Sequence, residues 1–193
     1  MSLADRKPTR AEFVTRYGSI YEHSPWVAAQ SYEEAYEIDD PDRLAEIFAK
    51  HVNAADHETK LALIRAHPDL AGRAAVGAHA EGNRSEPGPG VGLRTATAGD
   101  HPLNDLTPAS RQEQQSAGLD GCTPQEYARF HDLNARYKQK FHFPFIMAVR
   151  NSNRYEILKA FEQRLKNDPE TEFITAMQEI HKIAKLRLTT NAT

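Results

Sequence analysis

Five dipeptides in this chain, Ser24-Pro25, Asp40-Pro41, Thr107-Pro108, Thr123-Pro124 and Asp168-Pro169, set a short hydrogen-bonding side chain directly before a proline. That order marks a helix start. The first residue caps orphan backbone N–H groups, and a proline at the first helical position has no N–H to lose. Thr9 with Glu12, and Thr123 with Glu126, add the reciprocal spacing of a capping box. Helical stripes follow: Leu44, Ile47, Phe48 and Val52; Tyr127, Phe130, Leu133, Asn134 and Tyr137; Ile157, Leu158, Phe161 and Leu165; then Phe173, Ile174, Met177, Ile180, Ile183 and Ala184. Each is expected to face a core. No alternating β-branched run of useful length interrupts them. The expectation is an all-α fold, a single compact domain over residues 1–193 with about seven or eight helices.

Two stretches depart from helical spacing. Between Gly72 and Gly99 lie seven of the chain's ten glycines, together with Pro87 and Pro89. With no apolar period there, the segment from about 74 to 103 reads as a long Gly/Pro-rich surface loop. It lacks the G-x-x-x-x-G-K-[ST] pattern of a phosphate-binding loop. The second stretch, Phe141 to Arg150, is dense in apolar residues and carries Pro144 in its middle. Such a run is expected to be extended and packed deep, with backbone groups in need of partners.

The run His67-Pro68-Asp69-Leu70-Ala71-Gly72 places an imidazole where a helix over Glu58 to Ala66 must stop, because Pro68 disfavours α geometry at His67. Histidine is the side chain most easily poised for proton transfer near neutral pH. Here it is expected to end the helix without filling the core. On the helix begun at Thr107-Pro108, the residues Ser110, Glu113 and Gln114 put a hydroxyl, a carboxylate and an amide on one face. Near the C-terminus, Arg187 stands between Leu186 and Leu188, either snorkelling or aimed at an anion.

Charge and cysteine usage narrow the function classes. Lys plus Arg number 24 against 27 Asp plus Glu, a net charge of -3, which offers no electrostatic case for nucleic acid or an anionic membrane. One cysteine, Cys122, excludes an internal disulfide and a cysteine-based metal cluster. No apolar run approaches the roughly 20 residues of a membrane span. The N-terminus has no apolar core for a signal peptide, and the C-terminus is not a Ser-Lys-Leu address. A reducing, cytoplasmic location is the expectation.

Four segments together carry a resemblance. They are the His67–Gly72 run; Ser110-x-x-Glu113-Gln114-x-x-Ala117-Gly118-Leu119; Leu133-Asn134-x-x-Tyr137-x-x-Lys140-Phe141-x-Phe143-Pro144-Phe145; and Leu186-Arg187-Leu188. In this order they resemble the ureidoimidazoline decarboxylases, which convert 2-oxo-4-hydroxy-4-carboxy-5-ureidoimidazoline (OHCU) into (S)-allantoin in urate degradation. The resemblance implies an all-α enzyme that needs no cofactor or metal and forms a homodimer. It implies catalytic roles for His67, Glu113 and Arg187. Substrate contacts would come from Pro68, Ser110, Gln114 and the backbone of Phe145, Ile146, Met147, Ala148 and Val149, with Arg150 as a supporting charge. The His67 ring, the Glu113 and Gln114 side chains, the Arg187 guanidinium and the backbone of Phe145 to Val149 are expected to line one pocket. Two departures stand out: His142 occupies a position that is usually glycine in the family, and the spacer from Gly72 to Ser110 is longer.

Two other classes compete with that expectation. A metal-dependent hydrolase would draw on His67, Asp69, His79 and His101, whose spacing matches no H-x-x-x-H or H-E-x-x-H pattern. A non-catalytic helical interaction domain would leave the histidine, carboxylate, amide and arginine scattered.

Overall fold

A computed structural model describes residues 7–70, 119–150 and 152–191. Among them are seven α-helices and no strand: α1 (Arg10–Tyr17), α2 (Trp26–Ala35), α3 (Pro41–Ala54), α4 (His57–Arg65), α5 (Pro124–Phe141), α6 (Arg154–Arg164) and α7 (Pro169–Asn191). A short 3₁₀ turn, Leu119–Gly121, precedes α5. The all-α expectation holds. The 74–103 loop and the helix start at Thr107-Pro108 lie outside the described residues.

Most starts are capped as the dipeptides predict. Thr9 and Thr123 form complete capping boxes with Glu12 and Glu126, and Asp40 accepts the Arg43 N–H ahead of Pro41. Asp168 accepts the Thr171 N–H at 2.9 Å ahead of α7. Ser24-Pro25 differs. Helix α2 begins at Trp26, Pro25 sits at the N-cap in αR geometry, and no side chain caps the end. The Ser24 carbonyl accepts the Val27 N–H at 3.1 Å, so a backbone turn leads into the helix instead. Two further caps, Asp56 before α4 and Asn153 before α6, have no proline to signal them.

Helix α7 organises the molecule, packing against α3, α4 and α5, while α1, α2 and α3 pack in succession and α6 lies on α5. Its buried line is Phe173, Met177, Ile180 and Ala184. Ile174, a further 100° round the helix, is instead 48% exposed. Tyr127 is a second correction to the stripes: at 36% exposure it sits on the first turn of α5 against the His131 ring. Leu165 lies one residue past the end of α6 and is half-buried.

The Phe143–Val149 segment is non-helical and deep, as expected. Phe145 stacks on Phe161 with ring centroids 3.7 Å apart and meets Tyr137 edge-on. Two of the segment's backbone groups are bonded by side chains from α6 and α7. Arg164 donates to the Ile146 carbonyl, and the Ala148 N–H donates to the Glu179 carboxylate at 2.8 Å. Arg164 also pairs with buried Glu172, which accepts the Tyr137 hydroxyl.

His142 explains why its position favours glycine. It caps α5 in the left-handed conformation, φ 61° and ψ 25°, with its N–H on the Lys138 carbonyl. A side chain pays a steric cost there of about 1–2 kcal/mol, which glycine avoids at some expense in chain entropy. His142→Gly should therefore raise stability by about 0.5–1 kcal/mol, and His142→Val should lower it, in paired thermal melts.

Candidate active site

The histidine of the His67-Pro68-Asp69 run is buried, which corrects the expectation of a ring outside the core. Helix α4 ends at Arg65 and His67 follows in the turn, its N–H on the Ile64 carbonyl at 3.1 Å. The ring folds back over the helix end, only 4% of the residue is exposed, and Nδ1 lies 2.9 Å from the Leu63 carbonyl. Since a carbonyl can only accept, Nδ1 carries the proton. In the neutral ring Nε2 therefore carries the lone pair. Pro68 is half-buried, and Asp69 accepts from Asn134 and Lys138 of α5, each at 2.9 Å. The run is thus pinned to α5 immediately after the ring that it presents.

Burial pushes the His67 pKa down from 6.5 to about 4; the Leu63 carbonyl and the Glu22 carboxylate oppose that shift, while Arg187 and His23 add to it. The ring is neutral at pH 7. The consequence for folding has a definite sign. The folded state disfavours the proton that the unfolded histidine binds below about 6.5, so the contribution is full above that pH and fades towards about 4. Its size is on the order of 3 kcal/mol. The stability difference between the parent and His67→Asn should accordingly shrink as pH falls from 6.5 to 4, measured by urea unfolding.

Arg187 resolves as aimed at an anion. Its guanidinium is 5% exposed, and Nη1 donates to the Glu22 carboxylate at 2.9 Å and the Ile20 carbonyl at 3.2 Å. Glu22 is wholly buried and stands in the link between α1 and α2, beside His23 at φ 46°. Glycine is required at Gly18, where this link leaves α1, since a Cβ there would lie 2.5 Å from the Val14 carbonyl oxygen and 3.3 Å from the Pro25 Cβ. Sequence reasoning missed Glu22. Its one signal was a carboxylate set between Ile20-Tyr21 and Pro25-Trp26 in a short connection.

A cavity of about 420 Å³ opens beside His67, lined also by Arg65, Asp69, Lys138, His142, Phe143 and Pro144. That is room for a small heterocycle. His67 thus lines this cavity and lies within the field of the Glu22–Arg187 pair. The structure brings His67 and Arg187 into one electrostatic neighbourhood, and brings the Phe-Pro-Phe run to the cavity through Phe143 and Pro144. Phe145, Ile146 and Val149 are buried and Met147 and Ala148 half-buried, and none of the five is in the cavity wall. Arg150 reaches the Leu186 carbonyl at 3.4 Å, next to Arg187 in sequence. Ser110, Glu113 and Gln114 lie outside the described residues, as do His79 and His101. Among the described residues, no group of three or more His, Cys, Asp or Glu is placed to hold a metal ion, and no helix is long and apolar enough to cross a membrane.

A buried histidine beside a cavity, within the field of a buried carboxylate–guanidinium pair, is the kind of site found in enzymes that move protons. Comparison with known proteins identifies the family. The family model described as OHCU decarboxylase matches residues 6–189. The OHCU decarboxylase of Haloferax volcanii is 38% identical over 91% of this chain and 86% of its own, and that of Mus musculus 32% identical over 92% and 85%. Among solved structures, an (S)-allantoin synthase is 29% identical with a TM-score of 0.65, covering 95% of this chain, which spans only 51% of that longer one. An OHCU decarboxylase solved in the presence of (S)-allantoin has the same fold, with a TM-score of 0.60 over 95% of this chain and 97% of its own, at 19% identity. The chain belongs to the OHCU decarboxylase family.

Proposed function

We propose that this protein decarboxylates OHCU to (S)-allantoin and CO2, with His67 as the group that moves the proton. The observation that carries the reading is the tautomer of His67. A ring buried beside a cavity, with Nδ1–H held by the Leu63 carbonyl, has its basic nitrogen at Nε2. The substrate bears a hydroxyl and a carboxylate on C4 and a ureido group on C5. Loss of CO2 moves the electron pair of the C4–carboxylate bond into a C4=C5 double bond and onto the ring nitrogen that was double-bonded to C5. That nitrogen takes one proton from solvent, leaving a neutral 4-hydroxy enol. Transfer of the hydroxyl proton to C5 then makes the ring carbonyl and the C5 stereocentre. Nε2 takes the hydroxyl proton and returns it to one face of C5, so the ring ends as it began.

Developing negative charge needs fixed donors. Arg187 supplies a planar cation on the substrate carboxylate or a ring carbonyl. Backbone N–H groups of the Phe145–Val149 segment, other than that of Ala148, serve as further donors. Pro68 packs on the ring, while Ser110, Glu113 and Gln114 hold the ureido group. The same reading has the enzyme working without a cofactor, as a homodimer in the cytoplasm. The test is the purified chain with freshly generated OHCU. Substrate loss well above the spontaneous rate, unchanged after chelation, is expected. A rate equal to the spontaneous one would end the proposal, and activity abolished by chelation would turn it towards a metal enzyme.

A further inference from the structure

Glu22 is wholly buried, far from Arg187 in sequence, and bonded to it. A carboxylate is costly to bury unless it is paired and hydrogen-bonded. The two faces of that charge are both visible. One is Arg187, whose Nη1 is shared between the Glu22 carboxylate and the Ile20 carbonyl of the same link. The other is His67, on which Glu22 acts in the opposite sense to Arg187 and His23. We propose that Glu22 is a positioning residue for the decarboxylation: its carboxylate fixes the Arg187 guanidinium and offsets that cation's repulsion of the imidazolium formed when His67 takes the substrate proton.

This role for Glu22 rests on His67 as the base and bears on what makes that base usable. The ring is bonded to the Leu63 carbonyl on its own helix and feels the charges of Glu22 and His23 from the α1–α2 link and of Arg187 from α7. Arg65, Asp69, Lys138 and His142 surround the adjoining cavity, and Lys138 is paired with Asp69 at 2.9 Å. Without Glu22, a buried cation would face a ring that must itself become cationic in turnover. In a medium of low dielectric that raises the barrier to proton uptake and leaves the affinity for a neutral-ring complex much less affected. A purely structural ion pair would not split the kinetic constants in this way.

The test uses Glu22→Gln, which keeps the shape and an acceptor for Arg187 but removes the charge. Turnover at the pH plateau should fall by about 10-fold or more, with KM within about threefold of the parent and the acid limb of the kcat profile moved to lower pH. Glu22→Asp, which restores the charge, should recover most of the loss. A kcat for Glu22→Gln within threefold of the parent, or a loss confined to KM, would overturn the proposal. If Glu22→Gln does not fold, Glu22→Gln/Arg187→Gln carries the decision, with the His67 ring titration followed by ¹⁵N chemical shifts. Cancelling charges leave the midpoint no higher than in the parent. A midpoint a unit or more higher, as follows from removing Arg187 beside an inert Glu22, would contradict it. The ring titration needs no turnover, so it separates failure of the Glu22 role from failure of the decarboxylase reading.

Discussion

His67→Asn should lower turnover of OHCU by at least 10²-fold, and by as much as 10⁴-fold where proton transfer limits the rate. The amide cannot accept and return a proton near neutral pH. Its NH₂ can still donate to the Leu63 carbonyl, which takes the His67 Nδ1–H at 2.9 Å. The variant therefore loses the basic Nε2 while keeping the hydrogen bond that ends α4. Because the ring is buried, some packing is lost as well, and the melting temperature is measured alongside kcat to separate the two. Activity within threefold of the parent would remove His67 from the mechanism.

Arg187→Ala should be the most damaging substitution for the fold. It removes the cation bonded to a carboxylate with no exposure, and breaking one side of a buried pair costs about 3–5 kcal/mol. For a chain of this size that is a fall in Tm of about 6–20 °C. The double substitution Glu22→Leu/Arg187→Met replaces the pair with apolar groups and should recover most of the stability with none of the activity. Recovery of stability without activity marks the pair as retained for chemistry. A fall of less than about 2 °C for Arg187→Ala would show that the pair carries little of the fold's stability.

What was legible in the chain divides by range. Thr9, Asp40 and Thr123 act on backbone three residues away, so their helix starts could be read directly. The left-handed geometry of His142 was not read, although its standing where the family usually has glycine was the signal for a backbone demand there. The depth of the Phe-Pro-Phe run followed from its composition. The partners of its backbone did not, because Arg164 and Glu179 come from helices 18 and 31 residues onward. The burial of His67 escaped for the same reason: local sequence ends the helix, while long-range packing decides where the ring goes. Glu22 was hidden most completely. It meets Arg187 across 165 residues, and nothing in either neighbourhood names the other. Ser24 shows the limit of even a strong local signal, since a backbone turn leads into α2 where a side-chain cap was expected.

On the proposed function, the protein directs a proton to one face of C5, which no uncatalysed decay of the substrate does. A circular-dichroism time course on freshly generated OHCU reads this directly. With the protein, the signal of (S)-allantoin should grow at the rate of substrate loss and persist, and with His67→Asn it should be lost. Substrate that disappears at its spontaneous rate, or allantoin that forms without optical activity, would contradict the account.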